Sequence, residues 1–211
     1  MPGYYIHLSA SNSKNRGNKK FIKGIIMREL LKDYYRMYGF SETKKKYEEI
    51  KINGMPDFSF FEQRVQEKPK ENTNEGLHYG TSADPNIHLF WNSLTNEQKN
   101  NPFFRGYLWH LLTDLYIDQM LGLKFGLNLE LLHSDWDNLN TYLKTSYPLV
   151  KLPKEVIDLN IISYKNDNTF NYVNPNNIKK LIDFLNRFNI LKENPDEIIE
   201  KIINEINKDK E

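Results

Sequence analysis

Apolar residues recur at helical spacing along most of this chain. Between positions 18 and 38 they return every three or four residues until Gly39 interrupts the pattern. Other segments show the same period, and several start with Asn or Pro residues that are typical of helix caps. The predicted helices cover 18–38, 41–51, 58–68, 86–94, 101–123, 127–146, 175–188 and 195–208. This pattern predicts an all-α helical bundle.

The predicted helix at 101–123 is the most apolar in the chain. An apolar surface on nearly every side is typical of a helix at the centre of a fold. The polar residues His110, Asp114 and Asp118 on this helix therefore need buried partners. Gly106, one turn before His110, has no side chain and could leave room for a ligand or an ion.

Two segments lack a helical pattern. Residues 68–86 are rich in Gly, Pro and Asn, which is typical of a linker or an ordered loop, and we favour an ordered loop because the segment holds His78. After Pro148, short apolar patches alternate with turn-forming residues, which predicts an irregular segment or a small hairpin. We expect a single domain, with a metal-binding helical core at 1–145 and a C-terminal helical extension at 146–211.

The composition fits one compact globular body. The chain has 211 residues, of which 39% are hydrophobic and 27% charged, and its net charge is +1. This balance provides no basic surface for stable binding to duplex nucleic acid. No apolar run approaches the roughly 18 residues of a membrane helix and no leader pattern is present, so we expect a cytoplasmic protein without a transmembrane segment. Cysteine is absent, which excludes thiolate zinc sites.

Two histidines are each followed by an aspartate four residues later. His110 precedes Asp114 and His133 precedes Asp137, both within predicted helices, and Asp118 continues the first face by one turn. Residues i and i+4 share one face of a helix, and imidazole and carboxylate are ligands that suit zinc. Each pair also has a simpler interpretation. The first can be a core histidine with its hydrogen-bond partner, and the second an exposed intrahelical pair.

The order of these residues resembles that of the zinc-dependent phospholipase C superfamily, which also includes single-strand-specific zinc nucleases. In that family an early His, a helical acid and a loop His precede an H-x-x-x-D helix and an H-x-x-x-[DE] helix. The matching residues here are His7, Glu29, His78, His110, Asp114, His133 and Asp137. The segments LHYGTSADPN and LLHSDWDNL resemble its histidine motifs. The opening MPGYY-x-H-L and GYLWHLLTD resemble a group of uncharacterised cytoplasmic bacterial hydrolase-like proteins within it. The resemblance covers about residues 1–145.

The resemblance implies a helical bundle that binds two or three zinc ions. It implies a metal-dependent hydrolase that cleaves a small phosphate ester, either a phosphodiester or a phosphomonoester, with a metal-activated water. On this interpretation His78, His110 and Asp114 would hold a first ion, and Asp114 could bridge to a second.

The remaining residues receive roles on the same basis. His133, Asp137 and Asp118 would hold a second ion, and His7 would contribute to a neighbouring position. Glu29 would orient or deprotonate the attacking water, or serve as a ligand itself.

Several positions depart from the family pattern. Arg28 and Glu29 stand where family members have Pro-Asp, and the amino-terminal Trp ligand of secreted relatives is absent. The family histidine shortly after H-x-x-x-D is also missing, and Asp118 is the nearest candidate to replace it. A site richer in oxygen could prefer manganese or iron to zinc.

The alternative function is that of a non-catalytic helical module, which a metal could stabilise, that binds a protein partner. Aromatic residues would form its binding surface, although they are more simply explained as core. These residues are Tyr34, Tyr35, Tyr38, Phe58, Phe60 and Phe61. A metal site closed by protein ligands would favour the module, and a site open to a cleft would favour the hydrolase.

Overall fold

The computed structural model describes residues 3–66, 77–81, 84–165 and 169–210, and these form eleven α-helices and no β-strand. The helices are α1 (Tyr4–Ala10), α2 (Lys19–Ile50), α3 (Ser59–Gln66), α4 (Ile87–Asn92), α5 (Asn96–Asn100), α6 (Pro102–Phe125), α7 (Leu129–Ser134), α8 (Trp136–Ser146), α9 (Lys154–Asp158), α10 (Pro175–Leu185) and α11 (Pro195–Lys208). The prediction of an all-α fold is confirmed.

Helix α6 lies at the centre of the fold. The Asn101 side chain caps it by accepting from the backbone N–H of Phe103, Pro102 occupies its first turn, and Gly126 ends it in the left-handed conformation with φ 65°. Most of its side chains are buried, and helices α1, α2, α4, α5, α10 and α11 pack around it. The predicted central helix is confirmed because its apolar surface finds partners on nearly every side.

Helix α2 is long and kinked. Asn18 caps its start through the backbone N–H of Phe21, and Gly39 adopts φ 77° and ψ 179° inside it. A positive φ suits glycine, which has no Cβ to clash with the backbone. The two helices predicted on either side of Gly39 are therefore the two halves of α2.

Helices α2 and α6 cross at a pair of glycines. A Cβ added to Gly106 would lie 2.1 Å from the Phe21 carbonyl oxygen, and one added to Gly24 would lie 2.0 Å from the Phe103 carbonyl oxygen. The space beside Gly106 is thus filled by the backbone of α2, and the expectation that it leaves room for a ligand is wrong. The absence of two side chains lets the two helices approach closely.

The helix predicted at 127–146 is broken at Asp135, and this prediction needs correction. Asp135 has φ −101° and ψ 11°, and its buried carboxylate accepts backbone hydrogen bonds at 2.8 Å from Asn171, Tyr172 and Val173. These bonds lower the pKa of Asp135 although burial acts to raise it. The carboxylate fixes the segment before α10 against the corner between α7 and α8.

The remaining predictions are confirmed in part. Helices α10 and α11 begin after the capping residues Asn174 and Asn194, as expected. The segment after Pro148 is irregular apart from α9, and no hairpin forms among its described residues. Residues 67–76 and 82–83, which belong to the predicted ordered loop, lie outside the described residues.

Helices α1, α5 and α9 are too short to show a helical period in the sequence, and they were not predicted. Among the helices described, none has both the length and the apolar character needed to cross a lipid bilayer.

We predict that Gly106→Ala destabilises the protein by about 1–3 kcal/mol or more, because the added methyl group must push α2 and α6 apart. Urea unfolding would measure the change in the free energy of unfolding. Gly122→Ala is the matched control on the same helix, where an added Cβ would be 3.8 Å from the Leu127 carbonyl oxygen, an ordinary van der Waals contact. The control should be neutral or stabilising, since alanine favours helix more than glycine does. Equal losses in both variants would contradict the proposed close crossing.

Candidate metal centre

Five of the predicted site residues meet inside the bundle. His7 lies on α1, Glu29 on α2, His78 in the 77–81 loop, and His110 and Asp114 on α6. All five are buried, and Glu29 is the most exposed of them at 5%. Residues far apart in sequence thus form one polar cluster in an apolar interior.

The carboxylate of Asp114 lies at the centre of this cluster. His7 Nε2 is 3.0 Å from its Oδ1, and His78 Nε2 is 2.8 Å from its Oδ2. His110 Nε2 lies 3.2 Å from the same Oδ2. Three imidazoles therefore direct a ring nitrogen at one carboxylate, which is the type of donor set that binds a divalent cation.

The ring of His110 has unused hydrogen-bonding capacity. It is completely buried, its Nδ1 makes no hydrogen bond with a described residue, and its Nε2 contacts Asp114 Oδ2 at 3.2 Å without good hydrogen-bond geometry. It stacks on His7 with the centroids 4.0 Å apart and the planes at 6°. Buried polar atoms without a partner are costly, so the ring nitrogens of His110 call for an additional group such as a metal ion.

Two overlapping sets of three ligands are close enough to hold an ion. In the described part of the chain, ligand atoms lie within 4.8 Å of one another in the set His7, His110 and Asp114 and in the set Glu29, His78 and His110. We call these the first set and the second set. They share His110, so the two possible ion positions are adjacent.

The pKa shifts in the cluster favour the protonation states in which its side chains can bind a metal ion. Burial, with Arg28 nearby, lowers the pKa of His78 to about 3, and burial and His7 lower the pKa of His110. Burial alone would raise the pKa of Asp114, but His110 and His7 outweigh it and lower that pKa well below its usual range. His78 and His110 are therefore neutral and Asp114 is ionised near neutral pH, as metal binding requires.

Arg28 is a member of the cluster that sequence reasoning missed. It is 2% exposed and donates from Nη1 to Glu29 Oε1 at 2.5 Å, while its Nη2 lies 2.7 Å from His78 Nδ1. Burial opposes ionisation of Glu29, but Arg28 and His110 lower its pKa. The sequence offered no signal for this role beyond the position of Arg28 next to Glu29.

The loop that carries His78 is anchored on both sides. The Tyr107 hydroxyl donates to the Leu77 carbonyl oxygen at 2.5 Å, and the backbone N–H of Asn86 donates to the Tyr79 carbonyl oxygen at 3.1 Å. Tyr79 has φ 58°, a left-handed conformation that is rare for a side chain of this size. These contacts hold the His78 ring against Asp114.

His133 and Asp137 do not join the cluster. The break at Asp135 separates them, so they do not form the predicted i, i+4 pair of one continuous helix. Asp137 accepts a hydrogen bond from the Ser163 hydroxyl, and His133 is exposed with its ring against Trp136. Neither belongs to a set of ligands close enough to share an ion among the described residues.

Asp118 is buried one turn beyond Asp114, but it too lies outside both ligand sets. Neither of its oxygens makes a hydrogen bond with a described residue. Burial and the charge of Asp114 raise the pKa of Asp118 well above its usual range. Without an ion beside it, this carboxyl therefore favours its protonated form.

A cleft of about 640 Å³ lies beside the cluster. Glu29 and the exposed His133 both line it, together with Asp33, Arg36 and Trp136 among others. Glu29 therefore lies between the buried imidazoles and the space that a small ligand could enter. Of the five clustered residues, Glu29 is the one that lines this cleft among the described residues.

Comparison of the chain with protein-family models finds no match, and comparisons with curated proteins and with solved structures find none either.

We predict that the metal-free protein loses stability through His78 as the pH falls from about 6.5 toward 5. In the unfolded chain this ring titrates near its ordinary pKa of 6.5, whereas in the folded chain its pKa is about 3. The unfolded state then binds the extra proton in this interval, which lowers the free energy of unfolding. His110, whose folded pKa is lowered as well, acts in the same direction and interval, whereas Glu29 and Asp114 do so only at lower pH.

Urea unfolding of chelated protein across this interval tests the prediction. His78→Gln should reduce the pH slope of the unfolding free energy by up to about 1.4 kcal/mol per pH unit, whatever its effect at a single pH. His88→Gln, at an exposed histidine, is the control and should leave the slope unchanged. An unaltered slope in His78→Gln would show that this ring titrates normally in the folded state.

Proposed function

We propose that this protein is a metal-dependent hydrolase that cleaves a small phosphate ester. The observation that carries the proposal is the buried convergence of three imidazoles on Asp114, together with a His110 Nδ1 that has no hydrogen-bond partner among the described residues. Such an arrangement is costly in an apolar interior unless a cation completes it.

The ligand types support zinc as the ion. His7, His110 and Asp114 offer two nitrogens and one oxygen, a donor set that suits zinc, and manganese or iron would also accept it. A bound zinc ion would supply Lewis acidity, which lowers the pKa of a water molecule and polarises a phosphoryl oxygen. Three protein ligands leave further coordination positions open, as catalytic sites do.

Glu29 is our candidate for the residue that positions the attacking water. Its carboxylate lines the cleft and belongs to the second set of ligands. Because Arg28 and His110 lower its pKa, Glu29 stays ionised and accepts hydrogen bonds, and it is a weak base near neutral pH. The ionised state of Glu29 favours a role in orienting a water molecule or in binding an ion over a role in removing a proton.

The cleft supports a small anionic substrate. Arg36 lines the cleft with a guanidinium that is 62% exposed, and its nearest acidic neighbour, Asp33, is 3.9 Å away. A guanidinium matches the oxygens of a phosphoryl group. The net charge of +1 and the enclosed cluster argue against an extended duplex as the substrate.

The positions of the aromatic residues weaken the alternative function, that of a protein-binding module. Phe58 and Phe61 are buried, and Phe60 packs edge-on against Phe61 and Phe104. These rings belong to the core, whereas only Tyr38 among the proposed surface aromatics is about half exposed. The open cleft beside Glu29 also favours a hydrolase over a closed structural site.

We predict that protein purified without chelator contains transition metal and that Asp114→Ala and His110→Ala lose it. Each substitution removes a ligand atom, so the affinity for zinc should fall by more than about 100-fold. Elemental analysis and a chelator competition would measure content and affinity. His88→Ala is the control at an exposed histidine and should retain the parent metal content. A metal-free parent that takes up neither zinc nor manganese would refute the metal centre.

We predict that Glu29→Gln retains metal but loses about 100-fold or more of the hydrolytic rate, because the amide cannot hold the water as the carboxylate does. Bis(p-nitrophenyl) phosphate and p-nitrophenyl phosphate would test the diester and monoester classes. Glu49→Gln, an exposed position on the same helix, is the matched control. Hydrolysis at the parent rate in Glu29→Gln would remove Glu29 from the mechanism.

A further inference from the structure

The hydrogen-bond partners of the two ring nitrogens indicate which of them carries the proton in a neutral histidine. His7 Nδ1 lies 3.3 Å from the Gly3 carbonyl oxygen, which can only accept a hydrogen bond. Asp114 Oδ1, 3.0 Å from Nε2, also only accepts, so a neutral His7 can donate to just one of these two oxygens. With the proton on Nδ1, the lone pair of Nε2 faces Asp114 Oδ1. Two acceptors that face each other in this way are arranged for a cation.

His78 has the opposite arrangement. Its Nδ1 lies 2.7 Å from Nη2 of Arg28, and a guanidinium can only donate. The neutral ring of His78 must then carry its proton on Nε2, which donates to Asp114 Oδ2 at 2.8 Å. This nitrogen has no lone pair to offer to a metal ion.

Arg28 also contacts Glu29, another member of the second set. Its Nη1 donates to Glu29 Oε1 at 2.5 Å, and the side chain is 2% exposed. One permanent positive charge thus already joins Glu29 and His78, which are two of the three potential ligands in this set. A divalent ion at the same place would have to displace a buried guanidinium and shift the proton of His78.

We infer that Arg28 takes the place of a second metal ion, so that the protein binds one ion, on His7, His110 and Asp114. This inference rests on the proposed metal centre and specifies it. Arg28 is a positioning residue: it keeps the Glu29 carboxylate at the cleft and directs the His78 proton toward Asp114. The centre would then combine one metal ion with one fixed guanidinium.

The ion count under chelator competition tests the inference directly. We expect one zinc equivalent in the parent protein, loss of that ion in His7→Gln, and its retention in His78→Gln with less than about a tenfold change in affinity. Arg28→Gln should bind a second equivalent, because the amide oxygen can accept a proton from His78 Nδ1 and free its Nε2. Arg28→Lys, which keeps the charge, is the matched control and should still bind one.

Long-range ¹H–¹⁵N NMR of the zinc-free protein gives a second readout that does not depend on the Arg28 variants folding. The His78 signals should show the proton on Nε2 and an unprotonated Nδ1. Two equivalents in the parent, with one lost in His78→Gln, would overturn the inference and leave the hydrolase proposal standing. A proton on Nδ1 of His78 would overturn it as well. A parent that binds no metal would refute the proposed function itself.

Discussion

The rest of the structure depends on how the buried carboxylate of Asp114 is stabilised by its polar partners. A charge in an apolar interior costs several kcal/mol unless polar partners surround it, so the fold must bring such partners to it. His7 arrives on α1, His78 on an anchored loop, and His110 from one turn earlier on α6. The close crossing of α2 and α6 at Gly24 and Gly106 places Glu29 beside the same cluster. The packing of the helices therefore also brings the residues of the candidate site together.

The three imidazoles around Asp114 are not equivalent. His7 Nδ1 faces a backbone carbonyl, so a proton there would leave Nε2 available to a cation, whereas His78 Nδ1 faces a guanidinium, which places the proton of the neutral ring on Nε2. A count of histidines and acids alone would suggest room for two ions. The hydrogen bond between Arg28 and His78 Nδ1 is the basis of our inference of a single ion, because a metal ion needs a lone pair as well as a nearby nitrogen.

Site residues that lie close together on one helix could be predicted from the sequence, whereas contacts between distant residues could not. The pair His110 and Asp114 could be identified because both lie on one uninterrupted helix, where the i, i+4 spacing fixes their relative position. The same spacing failed for His133 and Asp137, because Asp135 between them bonds to the backbone of residues 171–173. No local pattern could reveal that distant partner.

The sequence by itself determined the all-α class, the central position of α6, the capped starts of α6, α10 and α11 and the donor types available to a metal. These follow from short-range periodicity, capping and composition. Only the tertiary structure decided that His7 joins Asp114, that Arg28 lies between Glu29 and His78, and that His133 and Asp137 lie outside the cluster. These facts depend on contacts between residues far apart in the chain, and on which nitrogen of each ring is already bonded, neither of which a linear pattern encodes.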